Sequence, residues 1–177
     1  MNIRHGFALY AAVMVMAQVV RAGDADLDIT CQPRKFEDKI VAGKPSDEIS
    51  KTQKWGYVVT VENKTFKPMA DMEVKYIIFS KHEHLGIKGP ARKQQDAGNY
   101  TIQQIAPNDK VTFNTSSVEL TKTALVGAGS TYYYFPNGAK PKAEDSLTGL
   151  WIRIYQNGTL FTEFANPPSL TSREKWE

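Results

Sequence analysis

The sequence predicts an all-β protein, a single antiparallel β-sandwich of about seven to nine strands. Three observations predict this class. Several short segments alternate apolar and polar residues with a period of two, which is the pattern of a strand with one buried face. Turn-forming residues separate these segments, and no segment shows the period of a long helix. Strands of this kind bury their apolar faces by packing in two layers.

The clearest pair of strands is predicted between Trp55 and Phe79. The segment between its two halves, Asn63–Pro68, contains Asn, Lys and Pro, which favour a loop. We therefore expect two antiparallel strands whose apolar faces are covered by a second sheet or a helix. The alternating apolar residues are Trp55, Tyr57, Val59 and Val61, followed by Met72, Val74, Tyr76 and Ile78.

A first strand is predicted for Asp26–Gln32, where Cys31 shares one face with two aliphatic residues. Cys31 is the only cysteine in the sequence, so no disulfide forms within one chain. It either packs as a small apolar residue or pairs with a second chain, and the alternation favours packing. The polar segment Pro33–Lys54 is predicted to be a long connection with a short helical turn at Ser46–Lys51.

The middle of the chain combines a predicted loop with short strands. Lys81–Gly98 is polar and contains several Gly and Pro residues, which predicts a long exposed loop of the kind that often carries function. Strands are predicted at Asn99–Ile105 and Lys110–Thr115, and the turn Ala106–Asp109 joins them. A further short strand is predicted at Val118–Leu120.

The last third of the chain contains the strongest hairpin signal. Thr131–Phe135 has extended character and includes three consecutive tyrosines, and Pro136–Ser146 is predicted to be a loop. An Asn-Gly pair separates the alternating run Leu150–Tyr155 from the extended run Leu160–Phe164, and this pair is typical of a tight hairpin turn. Ser169–Glu177 is polar and is expected to form a helical turn or a frayed tail.

Residues 1–22 are predicted to be a secretory signal peptide, and residues 23–177 the β-sandwich domain. Arg4 precedes the apolar run Phe7–Val20, and small residues at positions 20 and 22 suit signal peptidase. The run is shorter than the roughly 20 residues of a membrane span, although a retained N-terminal anchor is the alternative. The leader contains Arg4, Arg21 and no acidic residue, so its loss lowers the formal charge from +3 to +1. This balance argues against nucleic-acid binding, and no later segment is apolar and long enough to span a membrane.

A second interpretation of the leader is a prepilin cleavage site. Gly6-Phe7-Ala8-Leu9 resembles the cleavage site of type IV prepilins, but Tyr10 stands where that family has Glu. Arg21 and Gly23 also interrupt the long apolar helix that a pilin needs. We therefore expect a signal-peptidase leader and a secreted, periplasmic or cell-surface protein.

Three stretches resemble secreted bacterial immunoglobulin-like domains: YVVTVENKTFKPMADMEVKYIIF, IAPNDKVTF and GLWIRIYQNG. The first is similar to the pattern of a strand that ends in Asn, a loop and a second strand. The Cys–Trp–Cys core of antibody domains is absent, so the resemblance implies a disulfide-free immunoglobulin-like sandwich. Such domains occur in adhesins, in cell-envelope assembly proteins and beside type IV pilus systems. The resemblance thus implies a binding or structural role and names no ligand.

A set of aromatic residues is the best candidate for recognition. On an exposed face they would stack on sugar rings or contact a protein partner, whereas the alternative is core packing with cross-strand aromatic pairs. Within the set, the candidate ligand-binding residues are Tyr133, Trp151 and Tyr155. The full set is Tyr132, Tyr133, Tyr134, Trp151 and Tyr155.

His82 and His84 are the only candidate metal ligands. In a strand they would share a face, a spacing that suits zinc, copper or iron, but no third histidine follows the leader. A solvated loop is the other interpretation. Gly127–Ser130 is interpreted as a turn and not a nucleophile elbow, and Glu144 and Asp145 are interpreted as surface charges. The sequence therefore predicts no cofactor and no catalytic residue.

The predicted function is non-enzymatic binding or structural work, in adhesion or in envelope or pilus-associated assembly. An exposed edge strand would pair with a strand of a protein partner or another cell-surface component. The first alternative is a carbohydrate-binding module that uses the aromatic set. The second is a small exported metal protein or enzyme that uses His82 and His84.

Overall fold

The computed structural model describes residues 26–41, 48–125, 135 and 137–176. The predicted leader and the three consecutive tyrosines lie outside these residues. The described part contains nine strands and one short helix, and no helix in it is long and apolar enough to cross a membrane. In chain order the elements are β1 (Leu27–Val41), β2 (Glu48–Asn63), β3 (Met69–His82), β4 (Arg92–Ile105), β5 (Lys110–Asn114), β6 (Val118–Leu125), β7 (Lys142–Glu144), β8 (Ser146–Gln156), β9 (Thr159–Asn166) and α1 (Leu170–Arg173).

The strands form two antiparallel sheets. The first sheet has the order β1-β2-β6-β7, and β5 pairs with β2 beyond the end of β6. The second sheet has the order β4-β3-β8-β9. This arrangement confirms the prediction of an all-β chain with two antiparallel sheets.

The core lies between the two sheets and follows the predicted period of two. Val59 and Val61 of β2 are fully buried, and so are Val74 and Ile78 of β3. Burying one such side chain contributes roughly 1.5–3 kcal/mol relative to leaving it in water. The core residues of β8 alternate in the same way, and they are Leu150, Ile152 and Ile154.

A second, smaller apolar cluster lies on the outer face of the second sheet. Ile77, Phe79 and Trp151 of β3 and β8 are buried there beneath Leu170 of α1, with Trp176 packed against them. The polar C-terminal segment therefore forms the helical turn that was expected, and it covers this face. This explains why β3 is buried on both faces from residue 76 to residue 80.

The prediction of a loop at Pro33–Lys54 is wrong at both ends, and Glu48–Lys51 of the predicted helical turn belong to a strand, whereas residues 42–47 lie outside the described residues. β1 continues to Val41 and β2 begins at Glu48, and the two strands pair along this length. The side chains at 33–38 are exposed and those at 50–54 are half-buried, except for the buried Gln53. β2 contacts β6 here through hydroxyl pairs such as Ser50 Oγ with Thr123 Oγ1 at 2.9 Å. These positions show no apolar alternation, so the sequence resembles a loop.

The prediction of a loop at Lys81–Gly98 is also wrong at both ends. β3 continues to His82 and β4 begins at Arg92, which leaves residues 83–91 as the connection. β4 is an edge strand, and its first ten side chains are all exposed or half-buried. The predicted loop Pro136–Ser146 likewise contains the short strand β7 and the first residue of β8.

Candidate functional site

A hydrogen-bond network surrounds the end of β3. Ser80 and His82 share the inner face of that strand, and Asp145 lies between β7 and β8. His82 Nδ1 is 3.0 Å from Asp145 Oδ2, and His82 Nε2 is 3.0 Å from Ser80 Oγ. The carboxylate also accepts the backbone N–H groups of Glu83, at 3.0 Å, and Thr121, at 2.9 Å. One carboxylate thus joins the second sheet to the first.

The order of the bonds resembles the serine–histidine–aspartate relay of hydrolases, but the burial differs. Ser80 is 0% exposed, and the side chains of His82 and Asp145 are 19% and 9% exposed. A nucleophile must reach its substrate, and the Ser80 hydroxyl does not reach solvent here. Hydrogen bonds to a charged acceptor are stronger than neutral ones, so this arrangement acts as a lock between the sheets.

These positions correct two predictions. Asp145 is buried and is not a surface charge, and His82 ends a strand instead of lying in a solvated loop. Both ring nitrogens of His82 are within hydrogen-bond distance of a protein group, whereas His84 lines a separate cleft. Among the described residues, no three His, Cys, Asp or Glu side chains come together as a metal site. The strand spacing of Ser80 and His82 was visible in the sequence, but Asp145, 63 residues from His82, gave no signal.

The candidate ligand-binding residues Trp151 and Tyr155 lie on the outer face of β8. Trp151 is only 4% exposed, and its Nε1 donates a hydrogen bond to Glu163 Oε1 at 3.0 Å. The ring of Trp176 meets it edge-on, with centroids 5.4 Å apart and planes at 81°. Trp151 therefore presents no open ring face for a sugar. The third candidate, Tyr133, lies outside the described residues.

Arg153 completes the packing of this outer face. Its Nε donates to Glu163 Oε1 at 2.6 Å, and its guanidinium carbon is 4.4 Å from the Trp176 ring centroid and 5.2 Å from that of Trp151. The ammonium group of Lys75 lies 5.1 Å from the ring centroid of Tyr155. The aromatic and cationic groups that could serve a ligand are thus engaged with one another.

Cys31 faces the core at the margin of the first sheet, as its alternation predicted. Its side chain packs against the buried cluster, and Asn166 Nδ2 donates a hydrogen bond to its Sγ at 3.2 Å. Burial raises the pKa of the Cys31 thiol, and the hydrogen bond from Asn166 offsets this in part. A raised pKa leaves less thiolate at neutral pH, which makes the thiol a poor nucleophile or metal ligand.

Two long edge strands carry features that block pairing with another chain. β1 contains Pro33, six charged residues and a bulge at Phe36, which lies between paired residues 35 and 37. β9 has an extra residue, Phe161, opposite β8 and ends at the cis peptide bond before Pro167. Proline, charge and bulges all hinder edge-to-edge pairing.

β4 is the edge strand that lacks most of these features. Its register with β3 does not shift from Arg92 to Ile105, although Gln103 is unpaired opposite Asp71, whose φ is 54°, and it contains no proline. Charged side chains are confined to Arg92–Asp96, where Asp96 lies opposite Ile78 on the core side. The following eight residues, Ala97–Gln104, carry no charge. This stretch offers the longest unprotected backbone edge among the described strands.

The comparisons with known proteins found structural likeness only. No protein-family model matches the sequence, and no curated protein matches it. Solved structures with a similar chain path include a Northeast Structural Genomics Consortium target, 13% identical, with a TM-score of 0.38 over 81% of this chain and 88% of that one. A Bordetella pertussis protein provisionally named ApaA is 16% identical, with a TM-score of 0.35 over 79% and 91% of the two chains. A crystal structure from Akkermansia muciniphila is 11% identical, with a TM-score of 0.29 over 85% and 78%.

Proposed function

We propose that this is a secreted, periplasmic or cell-surface protein that works by binding and has no catalytic role. It accepts an extended strand of a partner protein along β4, in adhesion or in envelope or pilus-associated assembly. The observation that carries the proposal is the uncharged, proline-free and unbulged edge at Ala97–Gln104. A partner strand added there gains affinity from main-chain hydrogen bonds and specificity from alternate side chains.

The strand order supports the immunoglobulin-like type of sandwich. β1 and β2 are neighbours in the first sheet, as strands A and B are in immunoglobulin-like domains, and β3, β8 and β9 follow the order C, F and G in the second. The other side of the first sheet differs, because its edge strand β7 follows β6 in the chain, whereas the edge strand D precedes E in those domains. β4 lies beside β3, in the position of the added strand C′. This order agrees with the resemblance in the sequence and with the absence of a disulfide.

The side chains of the proposed edge favour a polar partner strand. Ala97, Asn99, Thr101 and Gln103 alternate along the outer face of β4, and all are exposed. On β3, Lys75 is paired with Asn99 and Glu73 with Thr101. A partner strand would therefore lie beside short uncharged side chains, with its other face against the margin of the core.

Lysine substitutions on two edges test this proposal. Thr101→Lys with Gln103→Lys places a charge opposite Glu73 and, by the continuous register, near Asp71, so the fold should tolerate it. The matched control is Thr30→Lys with Gln32→Lys, which adds the same charge to exposed positions of β1. Lysine on an edge opposes strand addition.

The assay is affinity purification of the tagged protein from the cell envelope of its source, with quantitative mass spectrometry. We expect a protein that the wild type and the β1 variant both retain and the β4 variant loses. Self-association in sedimentation equilibrium that is lost in the β4 variant would identify a second copy as the partner. Equal retention by all three forms, or no retained protein and no self-association, contradicts the proposed role of β4.

Export is tested separately by N-terminal sequencing of the extracytoplasmic protein. A chain that begins at Gly23 supports cleavage by signal peptidase, and one that begins at Phe7 supports a prepilin-type peptidase. An intact Met1 in a protein that remains in the cytoplasm contradicts the proposed location.

A further inference from the structure

A cleft of about 310 Å³ opens between two connections at one end of the molecule. The connection from β3 to β4 forms one wall with His84, Ile87 and Lys88, and the segment that leads into β7 forms the other with Lys140 and Lys142. This end lies beyond the hydrogen-bond network of His82, whose ring does not line the cleft. Its volume is at the lower limit of the range typical of small-ligand sites.

The cleft is held open by contacts that do not involve the lysines. Asn137 Nδ2 donates to the carbonyl of Gly86 at 2.8 Å, which ties the two walls together. Asn137 Oδ1 accepts the N–H of Ala139 at 2.9 Å, and Ala139 is buried. Gly86 has a φ of 73°, so a side chain there would be strained, and a Cβ there would lie in contact range of the Phe135 ring. The shape of the cleft is therefore built into the two connections.

The charge around the cleft is unbalanced. Lys88, Lys140 and Lys142 line it, and the ammonium group of Lys88 lies 4.0 Å from where a Cβ on Gly138 would stand. None of the three forms an ion pair with a carboxylate of the described residues. Among the described residues that line the cleft, Glu83 is the only acidic one, and its carboxylate accepts the backbone N–H of Glu144 at 3.3 Å.

We propose that this cleft binds a small oxyanion, a phosphate, sulfate or carboxylate group carried on a compact ligand about the size of a sugar. Three lysines that line one concave space raise the local positive potential and attract an anion. Ile87, which is 66% exposed, and Ala91 give the cleft an apolar wall for the body of the ligand. His84 adds a hydrogen-bond donor or acceptor at the rim.

Isothermal titration calorimetry with defined probes tests this site in the full chain. The probes are glucose 6-phosphate, glucose 6-sulfate and glucuronate, with glucose as the uncharged reference. We expect at least one anionic probe to bind more tightly than glucose. The affinity for that probe should fall as the salt concentration rises, because salt screens ionic contacts. No binding of any anionic probe at low salt overturns the proposal.

A matched pair of variants assigns the binding to the cleft. Lys88→Gln with Lys140→Gln removes two charges from it, whereas Lys67→Gln with Lys110→Gln removes two exposed charges at the opposite end of the sandwich. The variant Lys88→Gln with Lys140→Gln should lower the affinity for the anionic probe about tenfold or more, since each substitution removes a charged hydrogen bond. The variant Lys67→Gln with Lys110→Gln should change that affinity less than twofold. Equal weakening by both pairs would mean that net charge alone attracts the probe, and it overturns the site.

Nuclear magnetic resonance gives a second readout that does not depend on those variants. The His84 imidazole signal, assigned by its loss in His84→Gln, should move as the anionic probe is added, because this ring lines the cleft. The His82 signal should stay in place, since that ring is engaged with Ser80 and Asp145. A shift of His82 without a shift of His84 contradicts the assignment.

Discussion

Replacing Asp145 with Asn tests the lock between the two sheets. The carboxylate accepts Glu83 N–H on Oδ1 and both Thr121 N–H and His82 on Oδ2. An asparagine amide keeps one acceptor oxygen and places an NH₂ group where the other oxygen stood. Either orientation of the amide therefore sets a donor against a backbone N–H and leaves at least one buried donor without a partner.

The loss of stability can be worked out from these bonds. A hydrogen bond to a charged group contributes about 1.5–3 kcal/mol, and a buried donor left unpaired costs about 1–3 kcal/mol. With at least one bond lost and the others reduced to neutral strength, we expect the free energy of unfolding to fall by about 3 kcal/mol. For a chain of this length, such a change lowers the melting temperature by roughly 6–12 °C.

Circular dichroism during thermal and urea unfolding measures both quantities. Asp28→Asn is the matched control, because Asp28 is exposed on β1, and it should change the free energy of unfolding by less than about 0.5 kcal/mol. His82→Gln, alone and combined with Asp145→Asn, completes a double-mutant cycle that should give a coupling of about 1 kcal/mol or more. A melting temperature of Asp145→Asn within about 2 °C of the wild type would refute this reasoning.

Three further outcomes follow from buried polar and aromatic groups. Asn63 is fully buried and makes five hydrogen bonds through its amide, so Asn63→Ala should lower the free energy of unfolding by about 3 kcal/mol in urea titration, and a change below about 1 kcal/mol would contradict its role. Burial raises the pKa of the Cys31 thiol above its ordinary value of 9.0. The buried neutral thiol therefore stabilises the fold fully below pH 9.0, and this contribution is lost as the pH rises through the raised pKa. Iodoacetamide at pH 8 should therefore alkylate Cys31 more slowly in the native chain than in urea, and equal rates would contradict the burial. Trp176→Ala should uncover Trp151 and shift its fluorescence to longer wavelength, whereas an unchanged spectrum would mean that Trp176 does not cover it.

The strands that could be predicted are those with one buried face. β2 and β3 alternate because one set of side chains lies in the core and the other faces solvent, at least over Tyr57–Val61 and Met72–Tyr76. The hairpin between β8 and β9 was equally clear, and the structure confirms it with positive φ angles of 50° at Asn157 and 77° at Gly158. In each case a local pattern reports directly on local burial.

The strand segments that were missed have few buried side chains among the described residues. The first half of β4 and residues 33–38 and 50–54 of β1 and β2 are exposed or half-buried except at Gln53, so their sequences have no apolar period and resemble loops. Their pairing comes from neighbouring strands, which a local window does not contain. The lock at Asp145 was missed for the same reason, because its partners, on β6 and at the end of β3, are distant in the sequence.

The aromatic candidates show a different limit. Alternation placed Trp151 and Tyr155 correctly on one face of β8, but it could not show that the C-terminal segment folds back over that face. Trp176 and Arg153 take up the contacts that a ligand would use. Periodicity thus gives the direction of a side chain and not the identity of what covers it.

The two proposed binding surfaces should act independently, because β4 runs away from the cleft. The cleft includes the residues just before β4, and the uncharged stretch Ala97–Gln104 occupies the far half of that strand, toward the turn at Pro107. The segment Arg92–Asp96, which contains the charged residues of β4, separates the two. The variant Thr101→Lys with Gln103→Lys should therefore bind the anionic probe within about twofold of the wild type, because sites without shared contacts contribute additively. Loss of probe binding in that variant, with the melting temperature unchanged, would mean that the edge and the cleft belong to one surface.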